Sequence, residues 1–344
     1  MKLAITGGAG FLGYHLCNQL LDKYEEIYVI DIAPIDFREY PKNVKYFNVD
    51  VRNQNRLDEI FKGVDAVIHA AAALPLWKSE EIFDINVNGM KNVLEAAGKN
   101  GIKRVICISS TAVYGIPKKH PIYEDQALVG VGPYGKSKIV AEKICEDYRD
   151  RGMCVPIVRP KSFIGTGRLG VFQILYDWVE SGKKIPIIGN GRNHYQLLEV
   201  QDLVDALYVL LTAPPEKVND TFNIGGGKFN TVFEDMEALC NYAGTGARVL
   251  TTPAWLIISL LVLFENLKIS PLYKWIYNTA STDSFVSIEK IKNRFGWNPK
   301  YSNSDALIRS YQWYLEHKDE ISGTGITHRS AWKQGILSFF KKFL

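Results

Sequence analysis

The chain has 344 residues, 47% of them hydrophobic and 23% charged, with a formal net charge of +4. This is the composition of a globular protein with one large or two unequal domains, and no basic stripe interleaved with aromatics gives reason to expect nucleic acid. The five cysteines (Cys17, Cys107, Cys145, Cys154, Cys240) are scattered with no C-x-x-C pair, which argues against a disulfide framework or a metal site and for buried reduced thiols in a cytoplasmic protein.

Residues 2–6 read as a strand and 11–22 as a helix, with Thr6-Gly7-Gly8-Ala9-Gly10-Phe11-Leu12-Gly13 across the junction. The strand starts almost at Met1, so no signal peptide is expected before it. Glycines at 7, 10 and 13, between strand and helix, make a pyrophosphate cradle: the turn is tight, phosphate can approach closely, and the helix offers free N–H groups. A second strand, 26–31, ends on Asp31, near the spacing of the acid that bonds the adenosine ribose. A carboxylate there accepts from the 2′-OH and repels a 2′-phosphate, so NAD is expected over NADP; Arg38 is the nearby cation that could fold back toward a phosphate. A third strand, 44–49, leads into Asp50-Val51-Arg52, where Asp50 either reads the adenine edge or is a turn residue.

Val64–His69 is the next strand. His69 reads as a packed strand-end residue, and Ala70-Ala71-Ala72 supply small side chains where a cofactor must pass the backbone. The periodic stretch 80–99 carries Asn86. Arg104–Ser109 reads as a strand followed by Ser110-Thr111-Ala112-Val113-Tyr114-Gly115, and Tyr134-Gly135-Lys136-Ser137-Lys138 sets a phenol and an ammonium one turn apart on a helix. Arg159-Pro160 follows another strand end. Short Val/Ile-rich strands alternating with helices predict an α/β fold, a Rossmann-type doubly wound parallel sheet with ligands at the carboxyl ends of its strands. Beyond about residue 165 the pattern loosens into helices near 171–181, 201–212, 231–243 and 303–317. The expected division is a dinucleotide-binding domain over 1–165, a smaller mixed substrate-binding region over 166–320, some of it returning to the main sheet, and a tail over 321–344.

In this order and spacing the motifs resemble the extended short-chain dehydrogenases/reductases, the NAD-dependent epimerase/dehydratase family, from Met1 to about Lys318. The resemblance implies NAD held by Gly7, Gly10, Phe11, Leu12, Gly13, Asp31, Asp50, Val51, Ala70, Ala71, Ala72, Asn86, Ser109, Tyr134, Lys138 and Pro160, with Ser110, Tyr134 and Lys138 catalytic. Tyr134 would exchange a proton with a secondary alcohol; a free tyrosine titrates near pKa ~10, and Lys138 and the positive nicotinamide favour its phenolate. Ser110 matches the hydroxyl that bonds the reacting oxygen, with Thr111 beside it as the alternative, and Asn86 has a structural or a proton-relay role. The implied partners are a small-molecule substrate and a second copy, docked through the Tyr134 helix and the helix before Ser109.

The reaction is less defined. Family dehydratases carry an Asp-Glu pair after the active hydroxyl where this chain has Thr111-Ala112, so dehydration is disfavoured. The Ser110–Gly115 run with Glu124 is similar to nucleotide-sugar epimerases, whose hydride leaves and returns with no net redox change. Yet Ser162 stands where those enzymes have Asn, and Tyr195 where they have a diphosphate-clamping Arg; Arg192 or Arg168 could substitute, or be solvated surface charges. Gly182 to Asn193 and the apolar run Ala254–Phe264 instead resemble 3β-hydroxysteroid dehydrogenases. That run is about half of the roughly 20 residues that span a bilayer, and reads as a buried or pocket-lining helix or as a membrane-surface contact. Trp332, Ile336, Phe339, Phe340, Phe343 and Leu344 share one helical face with Lys333, Lys341 and Lys342 off it, so 330–344 reads as an interfacial helix at the inner face of a membrane or as a tail packed on protein. The expected substrate is thus a nucleotide-linked or lipid-linked sugar turned over at C-4, with a sterol-like or other lipid alcohol as the alternative.

Overall fold

The computed structural model describes residues 1–75, 77–266 (264–266 through the backbone), 277, 279–321, 329 and 341. Its first half runs β1 (Lys2–Thr6), α1 (Phe11–Gln19), β2 (Glu26–Asp31), β3 (Val44–Asn48), α2 (Gln54–Ile60), β4 (Ala66–His69), α3 (Ser79–Phe83), α4 (Gly89–Lys99), β5 (Arg104–Ile108), α5 (Gly132–Asp150) and β6 (Ile157–Pro160). The second half runs β7 (Phe163–Ile164), α6 (Val171–Glu180), β8 (Lys184–Ile188), β9 (Leu198–Glu199), α7 (Val200–Thr212), α8 (Pro215–Val218), β10 (Thr221–Ile224), α9 (Val232–Ala243), β11 (Arg248–Thr252), α10 (Ala254–Asn266), α11 (Glu289–Phe295) and α12 (Asn303–His317).

Among the described residues, seven parallel strands form the main sheet in the order β10-β6-β5-β4-β1-β2-β3. Strand side chains alternate between faces, so Leu3 and Ile5 of β1 pack with Leu16 of α1 and Leu203 and Leu207 of α7, while Ala4 packs with Leu94 of α4 and Cys145 of α5. Both faces are covered by helices, which is why these strands read as nearly continuous apolar runs. The chain order reverses between β1 and β4, and the crevice there, at the carboxyl ends of the strands, is the place for a ligand. β10 joins this sheet beside β6 although it lies beyond residue 165. A separate core of Ile164, Tyr176, Trp178, Leu239, Leu307 and Tyr311 holds the second half together.

Two expected elements differ. The stretch 80–99 is not one regular helix: a π-helical turn over Asp84–Asn88 separates α3 from α4. Arg159 and Pro160 lie within β6 rather than after it. The five cysteines are buried free thiols. Among the described residues no helix is long and apolar enough to cross a membrane. Most of the pattern over 330–344 lies outside the described residues; Lys341 pairs with Asp177 of α6 in the same chain.

Candidate active site

A cleft of about 510 Å³ opens over the carboxyl ends of the strands, within the usual range for small-molecule sites. Its first wall is the glycine loop, with Gly7, Gly10, Phe11 and Leu12 facing in. Gly10 caps α1 without a side-chain bond, so the first-turn N–H groups stay available to an anion. Gly13 faces away from the cleft: a Cβ there would stand 2.4 Å from the Cα of Gly8, so this glycine serves the packing of α1 on the loop. Asp31 lines the cleft at the end of β2, its Oδ2 accepting from the Ala9 N–H (3.0 Å) and its Oδ1 from the Ala33 N–H (2.9 Å). Burial raises its pKa above the ordinary carboxylate value, and hydrogen bonds from the backbone N–H groups of Ala33, Ala9 and Ile32 oppose the rise. The carboxylate oxygens at the cleft can also accept from a ribose diol, which fits NAD. Arg38 is exposed and paired with Asp36, outside the cleft lining. Val51, Ala70, Ala71 and Ala72 line the same wall, as does Asp50. Hydrogen bonds from the Arg52 guanidinium hold the Asp50 carboxyl below its ordinary value. His69 is buried with Nδ1 2.7 Å from Thr6 Oγ1, and burial, helped by the Lys138 charge, pushes its pKa down to about 3. It is therefore a neutral packed group.

Ser110, Thr111, Tyr134 and Lys138 line the cleft together, with Ser109 and Pro160. Ser110 caps the short turn Thr111–Tyr114, its Oγ accepting from the Ala112 N–H at 3.1 Å. Thr111 is buried. Lys138 is 4% exposed, and its Nζ donates to the Ile108 carbonyl (2.9 Å) and lies 5.8 Å from the centre of the Tyr134 ring. Asn86 is outside the lining, in contrast to its expected place among the cofactor contacts. Its Oδ1 accepts from the Ala73 N–H and its Nδ2 donates to Ser137 Oγ, both at 2.9 Å, so it ties the wall after β4 to α5 one residue before Lys138. The π-helical turn is what delivers it there, and such turns are frequent at functional sites.

Behind this cluster lies a buried network that motif spacing did not reveal. Ser109 Oγ donates to Glu142 of α5, and Arg159 of β6 closes a two-pronged pair on the same carboxylate (2.6 Å at the shortest). Arg159 also donates to the Tyr114 hydroxyl (2.8 Å) and the Glu124 carbonyl (2.9 Å), and Tyr114 donates to Asn223 Oδ1 (2.7 Å). Glu124 is thus part of the scaffold behind the cleft rather than of its lining. The network fixes β5, β6, β10 and α5 against one another, at the end of β5 that leads to Ser110 and along the helix that carries Tyr134.

The second wall comes from later residues. Ser162 and Tyr195 line it with their hydroxyl oxygens 3.1 Å apart. Arg168 is half-buried on the wall, over the rings of Phe11 (5.2 Å) and Phe163 (5.7 Å), so it is not the solvated charge that was the alternative for it. Arg192 is exposed in the loop between β8 and β9 and outside the lining, as the surface alternative had it and not as a substrate contact. The apolar helix α10 is likewise outside it: Trp255 is 73% and Leu263 53% exposed, which corrects the expectation of a buried or pocket-lining helix. Trp77 lines the cleft from the first half, on the core that Ala71 and Tyr134 pack against, while Phe172, Val232, Met236 and Leu307 also line this wall. So does Lys161, which no motif had marked and which a Lys following Arg-Pro could have suggested.

A parallel Rossmann sheet, a glycine loop backed by an acidic strand end, and a Ser, Tyr and Lys cluster facing one cleft define an NAD-dependent short-chain dehydrogenase/reductase of the extended kind. Residues 3–225 match the model of the NAD dependent epimerase/dehydratase family, and the chain belongs to that family. It is 33% identical to an uncharacterised protein of Sinorhizobium fredii over 97% of this chain and 84% of that one. It is 26% identical to a UDP-glucose 4-epimerase of Lactobacillus helveticus, over 92% of this chain and 98% of that one. The crystal structure of a UDP-glucose 4-epimerase of Thermotoga maritima with UDP-glucose superimposes with a TM-score of 0.78 at 22% identity, covering 92% of this chain and all of the other.

Proposed function

We propose that the chain epimerises a nucleotide-linked sugar at C-4, by oxidising the secondary alcohol to a ketone and reducing it from the other face. The observation that carries this reading is the set of groups lining the cleft. Ser110, Thr111, Ala112, Tyr134 and Lys138 line it at the β5 and α5 end. Its carboxylates, among the described residues, are Asp31 at the end of β2, Asp50 after β3, and Asp235, which is bonded to Asn303 and Ser304. Elimination of water needs an acid and a base beside the reacting carbons. Oxidation and return need one proton-exchanging group, and Tyr134 supplies it.

Bound NAD, held by the glycine loop, Asp31 and the Ala70–Ala72 wall, supplies the acceptor and donor for the hydride. Tyr134 takes the alcohol proton and later gives one back. Lys138, anchored on the Ile108 carbonyl, stands beside the phenol, where its charge stabilises a negative oxygen. Ser110 accepts from the Ala112 N–H and keeps its own proton to donate to the reacting oxygen.

A second reading, a lipid alcohol as substrate, is favoured by the apolar side chains of Trp77 on the near side of the cleft and of Phe172, Val232, Met236 and Leu307 on the far wall. The exposed Trp255, Leu256 and Leu263 of α10 and the one-sided pattern of 330–344 support peripheral membrane contact in either case. A homodimer through α4 and α5 completes the proposal.

The test incubates the NAD-loaded chain with UDP-glucose and follows UDP-galactose by proton NMR. Epimer formation that is lost in Tyr134→Phe, with NAD still bound, supports the reading. No epimer from UDP-glucose or UDP-glucuronate, together with NADH accumulating on a sterol-like alcohol, moves the function to the second reading.

A further inference from the structure

Lys161 sits immediately past β6, its N–H bonded to the Ile224 carbonyl at 2.8 Å, at the carboxyl end of the sheet where the cleft opens. It lines the cleft yet is only 2% exposed. Its Nζ donates to Ser284 Oγ (2.7 Å) and lies 4.8 Å from the centre of the Tyr195 ring. Ser284 is held in register with Tyr195, its N–H on the His194 carbonyl and its carbonyl accepting from the Gln196 N–H. The ammonium therefore stands in a built pocket of one hydroxyl and one aromatic face.

No carboxylate pairs with Lys161 among the described residues. Burial alone pushes its pKa down to about 7, with no acidic neighbour acting against it. Of the titratable groups nearby, Asp283 lies 3.6 Å from His194, while His120 feels Lys161 as a second positive charge. Burying an ammonium without a counter-charge is costly, and a hydrophobic side chain of the same length would pack there without that cost. Ser162 Oγ and Tyr195 OH lie on the same wall, hydrogen-bonded to each other, so one hydroxyl proton of the pair is spent between them.

We propose that Lys161 is a specificity-determining residue, and that the substrate of this cleft carries an anionic oxygen group, carboxylate or phosphate, which Lys161 receives with Ser162 and Tyr195 beside it. The proposal rests on the nucleotide-sugar reading for the identity of the probes, and its test separates the two. Binding of UDP, UDP-glucose and UDP-glucuronate to the NAD-loaded chain is measured by isothermal titration calorimetry in the wild type, Lys161→Met and Lys161→Arg. The expected result is a loss on the order of 30-fold or more in Lys161→Met, part of it restored in Lys161→Arg. Loss confined to UDP-glucuronate assigns a carboxylate; equal loss for all three assigns the diphosphate.

Unchanged affinity for all three in a folded Lys161→Met chain overturns the proposal. If none of the three binds the wild type, the nucleotide-sugar reading fails instead. Lys161 is then judged by acetic anhydride labelling of the wild type, read by peptide mass spectrometry. Slower labelling in glucuronate or inorganic phosphate upholds the anion site, and equal labelling with and without both overturns it. The same labelling decides if Lys161→Met does not fold.

Discussion

Gly135 of α5 lies against the carbonyl of Ala112: a Cβ on Gly135 would come within 2.7 Å of that oxygen. The missing side chain lets α5 close on the turn after β5, and so brings Tyr134 and Ser110 to one cleft. Gly135→Ala should force the helix and the turn apart by a fraction of an ångström. Overpacking of this kind costs about 1–3 kcal/mol, and small misplacement of reacting groups can cost about 100-fold in rate. Thermal melting and steady-state kinetics would check both; a Gly135→Ala chain as active as the wild type would show that this contact does not set the geometry.

Tyr134 is half-buried on the cleft wall with Lys138 beneath it. Tyr134→Phe keeps the ring and removes the proton-exchanging oxygen. Turnover should drop about 10²–10⁴-fold, the usual worth of a positioned acid or base, with the bound NAD content unchanged. Activity within a few-fold of the wild type would mean that another group carries the proton.

The cofactor half of the site was legible because its chemistry depends on local order. A strand, a glycine turn and a helix start are contiguous in sequence; Asp31 is the last residue of a strand, and the Ala70–Ala72 run and Ser110 each follow a strand end. Tyr134 and Lys138 were legible because one helical turn puts them on one face. Asn86, expected among the cofactor contacts, lies outside the cleft lining, since a π-helical turn re-aims side chains that a regular 3.6-residue period would point elsewhere. The Glu142–Arg159 pair and Lys161 were not legible as a site: their meaning comes from burial and from partners such as Ser109, Tyr114 and Ser284, brought together by the sheet. α10 misled because an apolar run reports hydrophobicity, not which surface covers it.

The Asp31 carboxylate should decide between NAD and NADP. The wild type is expected to bind NAD at least about tenfold more tightly than NADP, because a 2′-phosphate would meet a like charge. Asp31→Asn keeps the shape and one acceptor oxygen while removing the charge. It should weaken NAD and narrow the preference, as measured by fluorescence titration of the two reduced cofactors. Equal affinity for both in the wild type would mean that another group, such as Arg168 on the same cleft, offsets the carboxylate.

Lys161 should also make stability depend on pH. Its folded pKa, about 7, lies below its ordinary 10.5, so between those values the unfolded chain binds more protons than the folded one. Stability contributed through this group therefore rises with pH across that window; below it both states are protonated and the cost of burial is fully present. Lys161→Met removes the titration while leaving Tyr195 and Asp283 in both chains; His120, which the Lys161 charge helps to lower, is held below its ordinary 6.5 chiefly by burial and so changes charge below this window. At pH ~7 the Met variant should be the more stable in urea unfolding, and the wild type should recover about 2 kcal/mol relative to it by pH ~9. A gap that does not change with pH would mean that the folded chain holds Lys161 charged throughout, with a counter-charge already in place.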